Sequence, residues 1–255
     1  MSVTETYKRV KTILVSQPKP ERSPYYQLEE KYGLTIDWRP FIHVEGLTAK
    51  EFRKFKIYPE EYSAIIFTSL YSIDHFFRMA EELRYKIPED LKYFCLTEAI
   101  ANYLQKFIIY RKRKVFYGTR NIIDLKSPLL KHRDKERFLL PCSNLAAPEV
   151  TSYLRDNKFN FNEALMYQTV SSDLSDLRDI FYDVLVFFSP LGIKSLNDNF
   201  PDFQQNETRI AVFGDSTLKA AEEAGLYINI KAPTVELVSM PMALGAYLKL
   251  SNPEI

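Results

Sequence analysis

The sequence predicts an α/β protein of two similar lobes with parallel sheets, and three observations carry that expectation. Short runs of consecutive apolar residues read as strands covered on both faces. Segments of helical period separate these runs, as the crossovers of a parallel sheet require. The chain also resembles itself at an offset of 120 residues.

The expected strands are 12–16, 64–69, 93–96, 115–117, 138–140, 184–189, 210–213 and 227–230. Between them, 73–84 reads as a helix opened by Ser72, and 216–224 as one closed by Gly225, where glycine supplies a left-handed cap. The repeat matches Tyr62, Phe67, Ser69 and Ile73 with Tyr182, Phe187, Ser189 and Ile193. The segment 92–104 resembles 209–221, and the segment from Lys11 resembles that from Arg137. Three units in the same order indicate a tandem duplication, hence two α/β lobes with a cleft between them.

Composition excludes several classes. The 255 residues are 46% hydrophobic and 26% charged, with a net charge of +1, so no whole-molecule field drives binding to nucleic acid or membrane. The seven glycines are too dispersed for a dinucleotide-binding fingerprint, a phosphate-binding P-loop or a nucleophile elbow. No apolar run approaches the ~20 residues of a membrane span. A polar start to the chain and two cysteines without metal or disulfide spacing lead us to expect a cytoplasmic protein. His43, His75 and His132 have no partner at ligand spacing, so no metal site is expected.

Three turns carry hydroxyls where a strand gives way to a helix: Thr68 with Ser69, Ser189 with Gly192, and Ser216 with Thr217. Such hydroxyls ordinarily cap helices, worth about 1 kcal/mol each. At the carboxyl ends of parallel strands they also collect anionic ligands. The stretch 106–137 holds eleven Lys and Arg against Asp124, Asp134 and Glu136, a local net of +8. That is a solvated surface or an attractor for a polyanionic substrate, and no aromatic ladder accompanies it to suggest nucleic acid. Tyr167 matches Phe41 in the first half, so the repeated fold does not demand its hydroxyl. Packing alone would leave that tyrosine a strand-end aromatic with a wet hydroxyl.

Taken in order, 139–141, 166–169, 186–192, 212–221, 225–226 and 232–234, with 13–15 and 66–69 in the first half, resemble the uroporphyrinogen-III synthase family. The resemblance implies two Rossmann-like lobes joined by crossing strands near 40–44 and 166–171. One lobe would combine 1–40 with 171–255, and the other would be 44–166. It implies closure of hydroxymethylbilane, a polycarboxylate, into uroporphyrinogen III with inversion of ring D and loss of water. No cofactor takes part, and a monomer is expected. The resemblance makes Tyr167 the candidate general acid, and Thr68, Ser69, Ser189, Gly192, Ser216 and Thr217 the candidate substrate contacts. After the first strand the chain has Ser16, Gln17 and Pro18 where the family often has Arg. A non-catalytic two-lobed module for a polyanionic small ligand is the competing reading.

Overall fold

Strands whose successive residues are all buried form the centre of two parallel-dominated sheets in a computed structural model, which describes residues 7–145 and 148–253. The strands are β1 Thr12–Val15, β2 Thr35–Trp38, β3 Ile42–Gly46, β4 Ala64–Phe67, β5 Lys92–Cys95, β6 Val115–Tyr117, β7 Phe138–Ser143, β8 Phe161–Ser171, β9 Val184–Phe187, β10 Arg209–Phe213 and β11 Ile228–Ala232. The α-helices are α1 Tyr25–Tyr32, α2 Ala49–Phe52, α3 Leu70–Glu82, α4 Glu98–Leu104, α5 Lys126–His132, α6 Pro148–Asp156, α7 Pro190–Asn199, α8 Asp215–Glu223 and α9 Met240–Ser251. Among the described residues no helix is long and apolar enough to cross a membrane.

Two compact units divide the chain, one of 1–43 with 170–255 and the other of 44–169. The first unit holds a five-stranded sheet in the order β11-β10-β9-β1-β2. In it Ile13 and Val15 of β1, with Val184 and Val186 of β9, pack on one face, while Leu14, Leu185 and Phe187 pack on the other. The second unit carries most of a six-stranded sheet in the order β3-β8-β7-β4-β5-β6. There Ile65 and Phe67 of β4 face one core, and Ala64 and Ile66 the other. Burial on both faces is why these strands read as unbroken apolar runs, and each buried Val, Leu, Ile or Phe contributes about 1.5–3 kcal/mol.

The duplication is visible in the registers. Ala64 of β4 pairs with Lys92 of β5, and Val184 of β9 pairs with Arg209 of β10, all in parallel. The order β8-β7-β4-β5-β6 of one sheet answers β2-β1-β9-β10-β11 of the other.

All eight expected runs form strands. β4 and β9, however, stop two residues short of Ser69 and Ser189, because each serine leaves the ladder to cap the next helix. For the same reason α3 begins at Leu70 instead of residue 73. It closes before Arg84, which takes a left-handed φ of 57°. The helix expected at 216–224 starts one residue earlier, after Gly214 at φ 86°, a conformation that favours glycine. Three strands, β2, β3 and β8, were not among the eight runs. β2 and β3 are edge strands whose residues are mostly half-buried or exposed, so they lack the apolar run.

Candidate functional site

At the carboxyl end of β4 the chain turns through Thr68 into Ser69, whose extended backbone (φ −156°) caps α3. The Ser69 hydroxyl accepts from the Ser72 amide at 3.1 Å, and the Ser69 amide donates to the Ser72 hydroxyl at 3.2 Å. This reciprocal box satisfies two groups that would otherwise be orphaned at the helix start. β8 then brings Tyr167 to the same place, with its hydroxyl 3.2 Å from Ser69 Oγ.

Tyr71, His75 and Arg78 follow one another along one face of α3, at the three- and four-residue spacings that align helical neighbours. The His75 ring stacks on Tyr167 with centroids 4.8 Å apart and planes 12° from parallel, and the Tyr71 ring lies 6.4 Å away. Arg78 donates from Nε to His75 Nδ1 at 3.3 Å and from Nη2 to the carbonyl oxygens of Leu47 at 2.7 Å and Met166 at 3.3 Å. Its Nη1 pairs with Glu82. Gly46 makes this approach possible. A Cβ there would stand 2.7 Å from Arg78 Nη2 and 2.9 Å from His75 Cε1.

Tyr167 is only 7% exposed, and burial raises its pKa against the lowering effect of the Ser69 hydrogen bond. The phenol is therefore a proton carrier at neutral pH. Burial first, and then the Arg78 charge, lower the pKa of His75 against the opposing Asp74, so the imidazole is neutral there and accepts from Arg78. The Tyr167 ring sits well inside the long strand β8, and Ser69 engages its oxygen, so packing does not leave it a strand-end aromatic. The sequence offers His75 only as an isolated histidine without metal partners, because it joins Arg78, Gly46 and Tyr167 through contacts between distant segments. The signal for His75 and Arg78 was the helical spacing that follows the Ser69 cap.

The first unit repeats the turn without the chemistry. Ser189 caps α7 by accepting from the Gly192 amide at 3.2 Å. A Cβ on Gly192 would meet Phe187, Ser189 and Ser16 at ordinary contact distances of 3.4–3.8 Å. On the neighbouring strand, Ser216 and Thr217 are not in a cap but in the first turn of α8, which Gly214 opens without a side-chain bond. Ser216 is exposed, whereas Thr217 is 1% exposed, so the expectation of an open hydroxyl at Thr217 is corrected by its packing. Ser69 thus meets Tyr167, with Thr68 the residue before it, while Ser189, Gly192 and Ser216 follow adjacent strand ends of the other unit.

Of the basic stretch, Arg137 pairs with Glu61 at 2.6 Å and lies over the Tyr62 ring at 4.6 Å. Lys106 lies over Tyr103 at 4.2 Å, and Arg133 pairs with Asp134 at 3.0 Å. Among the described residues no group of His, Cys, Asp and Glu is placed to hold a metal ion.

Largely parallel sheets with helices capped at the carboxyl ends of their strands make the chain an open-sheet α/β protein, a class in which ligands bind at those strand ends. The family model of uroporphyrinogen-III synthase HemD matches residues 23–240, and the chain belongs to that family, lyases acting on hydroxymethylbilane in tetrapyrrole biosynthesis. The solved uroporphyrinogen-III synthetase of Helicobacter pylori is similar at 15% identity and a TM-score of 0.54, covering 94% of this chain and 99% of that one. A mutant uroporphyrinogen III synthase of Thermus thermophilus aligns at 15% identity with a TM-score of 0.48, over 94% and 99% of the two chains. At such identities the likeness to the first is one of fold. No curated protein sequence matches the chain.

Proposed function

We propose that this chain closes hydroxymethylbilane into uroporphyrinogen III with Tyr167 as general acid. The observation that carries this is the buried phenol, protonated at neutral pH and held by Ser69 at the end of β4. With Ser69 donating to the phenol oxygen, the Tyr167 proton is free for a second acceptor.

The hydroxyl of the substrate's hydroxymethyl group must leave as water, while its carbon stays to become the closing bridge. Tyr167 gives its proton to the departing oxygen, the carbon–oxygen bond breaks, and the pyrrole nitrogen lone pair fills in to form an azafulvenium cation beside the phenolate. Attack at the substituted carbon of ring D gives a spiro centre, whose bond to the neighbouring bridge carbon breaks and re-forms at the free carbon of that ring; the choice of carbon is a matter of orientation, because the spontaneous reaction gives the uninverted isomer. The proton lost as the macrocycle regains its pyrrole rings restores the phenol, so the cycle balances.

The Thr68 hydroxyl, the α3 start at Ser69 and the turns at Ser189, Gly192 and Ser216 offer hydroxyl and amide donors to carboxylates. The basic stretch 106–137 serves solubility or substrate attraction, and nucleic acid is no partner. We place the protein in the cytosol as a monomer, a setting that suits two free cysteines, one buried and one half-buried.

The test is conversion of hydroxymethylbilane, supplied enzymatically, with the two isomers separated. Formation of isomer III well above background supports the reading, and isomer I alone at the spontaneous rate refutes it.

A further inference from the structure

We infer that His75 is a positioning residue for Tyr167: oriented by Arg78, it fixes the phenol ring and supports the negative charge left on the oxygen as the proton departs. The inference rests on the reading of Tyr167 as proton donor.

Its basis is a closed circuit of contacts. Arg78 is anchored on the carbonyls of Leu47 and Met166, the second being the residue just before Tyr167. It donates in turn to His75 Nδ1, and the His75 ring lies 4.8 Å from the Tyr167 ring and nearly parallel to it. A nitrogen that accepts from a guanidinium leaves the ring proton on Nε2 and polarises the imidazole toward positive charge. Held over the phenol face, that ring favours the phenolate as it forms. The other groups acting on the pair are Asp74, on α3 beside His75, and Cys142, on β7 near Tyr167.

Two further observations separate this from mere packing. Gly46 leaves the space that both side chains occupy, since a Cβ there would stand under 3.0 Å from each. The duplicated half also supplies an internal control. By the repeat, Tyr167, His75 and Arg78 correspond to Phe41, Ser195 and Asp198. There the fully buried Ser195 hydroxyl donates to the Phe41 carbonyl, and Asp198 accepts from Ser171 at 2.6 Å. The same corner of the fold therefore closes around a small hydroxyl and an acid, without an imidazole on the aromatic ring.

The experiment compares the full chain with His75→Phe, Tyr167→Phe and the double variant. His75→Phe keeps a ring to pack but no acceptor for Arg78. Its kcat for isomer III should fall about tenfold or more with KM little changed, the scale on which misplaced groups cost rate. The same substitution should cost nothing further in the Tyr167→Phe background. In the folded His75→Phe protein the phenol titration of Tyr167, followed by 13C NMR of labelled tyrosine and assigned with Tyr167→Phe, should move to higher pH. Equal losses in both backgrounds, or an unmoved phenol titration, overturn the inference alone. Full turnover in Tyr167→Phe overturns the general-acid reading itself. Should His75→Phe fail to fold, His75→Gln, which offers Arg78 an acceptor but no ring, is compared in the same backgrounds with the same criteria.

Discussion

The corner after β4 and the corner after β9 are copies of one design put to different uses. Both end a fully buried strand on phenylalanine, skip one residue, and cap a helix with serine, Ser69 in one and Ser189 in the other. Both place an aromatic residue nearby from the segment that links the units, Tyr167 or Phe41. In the second unit the aromatic carries a hydroxyl, bonds to the cap and stacks on His75. In the first unit Phe41 meets Phe187 edge-on at 5.5 Å and is pinned through its carbonyl by Ser195. The difference separates what the scaffold needs from what the chemistry needs. A cap and a buried ring are structural in both halves, whereas the phenol, the imidazole and the guanidinium occur together in one.

That contrast can be broken by substitution. The largest effect is expected at the aromatic pair. Tyr167→Phe should lower turnover by about a hundredfold or more, the lower range of general-acid assistance. Losing one hydrogen bond should cost it only about 1 kcal/mol of stability in a denaturant titration. Phe41→Leu, at the matching place, should lose about 1–2 kcal/mol through imperfect packing while its turnover stays near that of the parent. Gly46→Ala comes next. Its methyl group displaces the ends of Arg78 and His75, so turnover should drop about tenfold, with a destabilisation of about 1–2 kcal/mol. At the corresponding Ser172, substitution by Ala removes an exposed contact with His43 and should change stability by less than about 0.5 kcal/mol.

The two caps sharpen the comparison further. Ser69→Ala and Ser189→Ala should each lose about 1 kcal/mol by thermal unfolding. Only Ser69→Ala also removes the partner of the Tyr167 oxygen, so its kcat should fall about threefold to tenfold beyond that of Ser189→Ala. The smallest effect is that of pH. Tyr167 is raised by burial and stays protonated past the ordinary phenol range, and His75 is lowered by burial and stays neutral below the ordinary imidazole range. Neither group then changes charge near neutrality, and kcat should be flat from about pH 7 to 9. A steep limb within that window would mean that another group carries the proton.

The legibility of these features followed their physics. Strands buried on both faces, such as Ala64–Phe67 and Val184–Phe187, announce themselves as apolar runs because every residue is under the same pressure. The edge strands Thr35–Trp38 and Ile42–Gly46 do not, since half their residues meet solvent and carry no such constraint. Ser69 and Tyr167 could be read, one from its place between strand and helix, the other from the family pattern. His75 and Arg78 belong to the site through contacts between α3 and β8, elements far apart in the sequence, and only their helical spacing hinted at a shared face.

The most direct test is the ratio of isomers III and I released when hydroxymethylbilane is supplied at the same rate to the parent chain, to Tyr167→Phe and to Ser189→Ala. Isomer III should dominate for the parent and for Ser189→Ala at saturating substrate. Tyr167→Phe should release mainly isomer I, because spontaneous closure overtakes a slowed enzyme. A Tyr167→Phe protein that still releases isomer III as fast as the parent would contradict the assignment of the chemistry to this phenol.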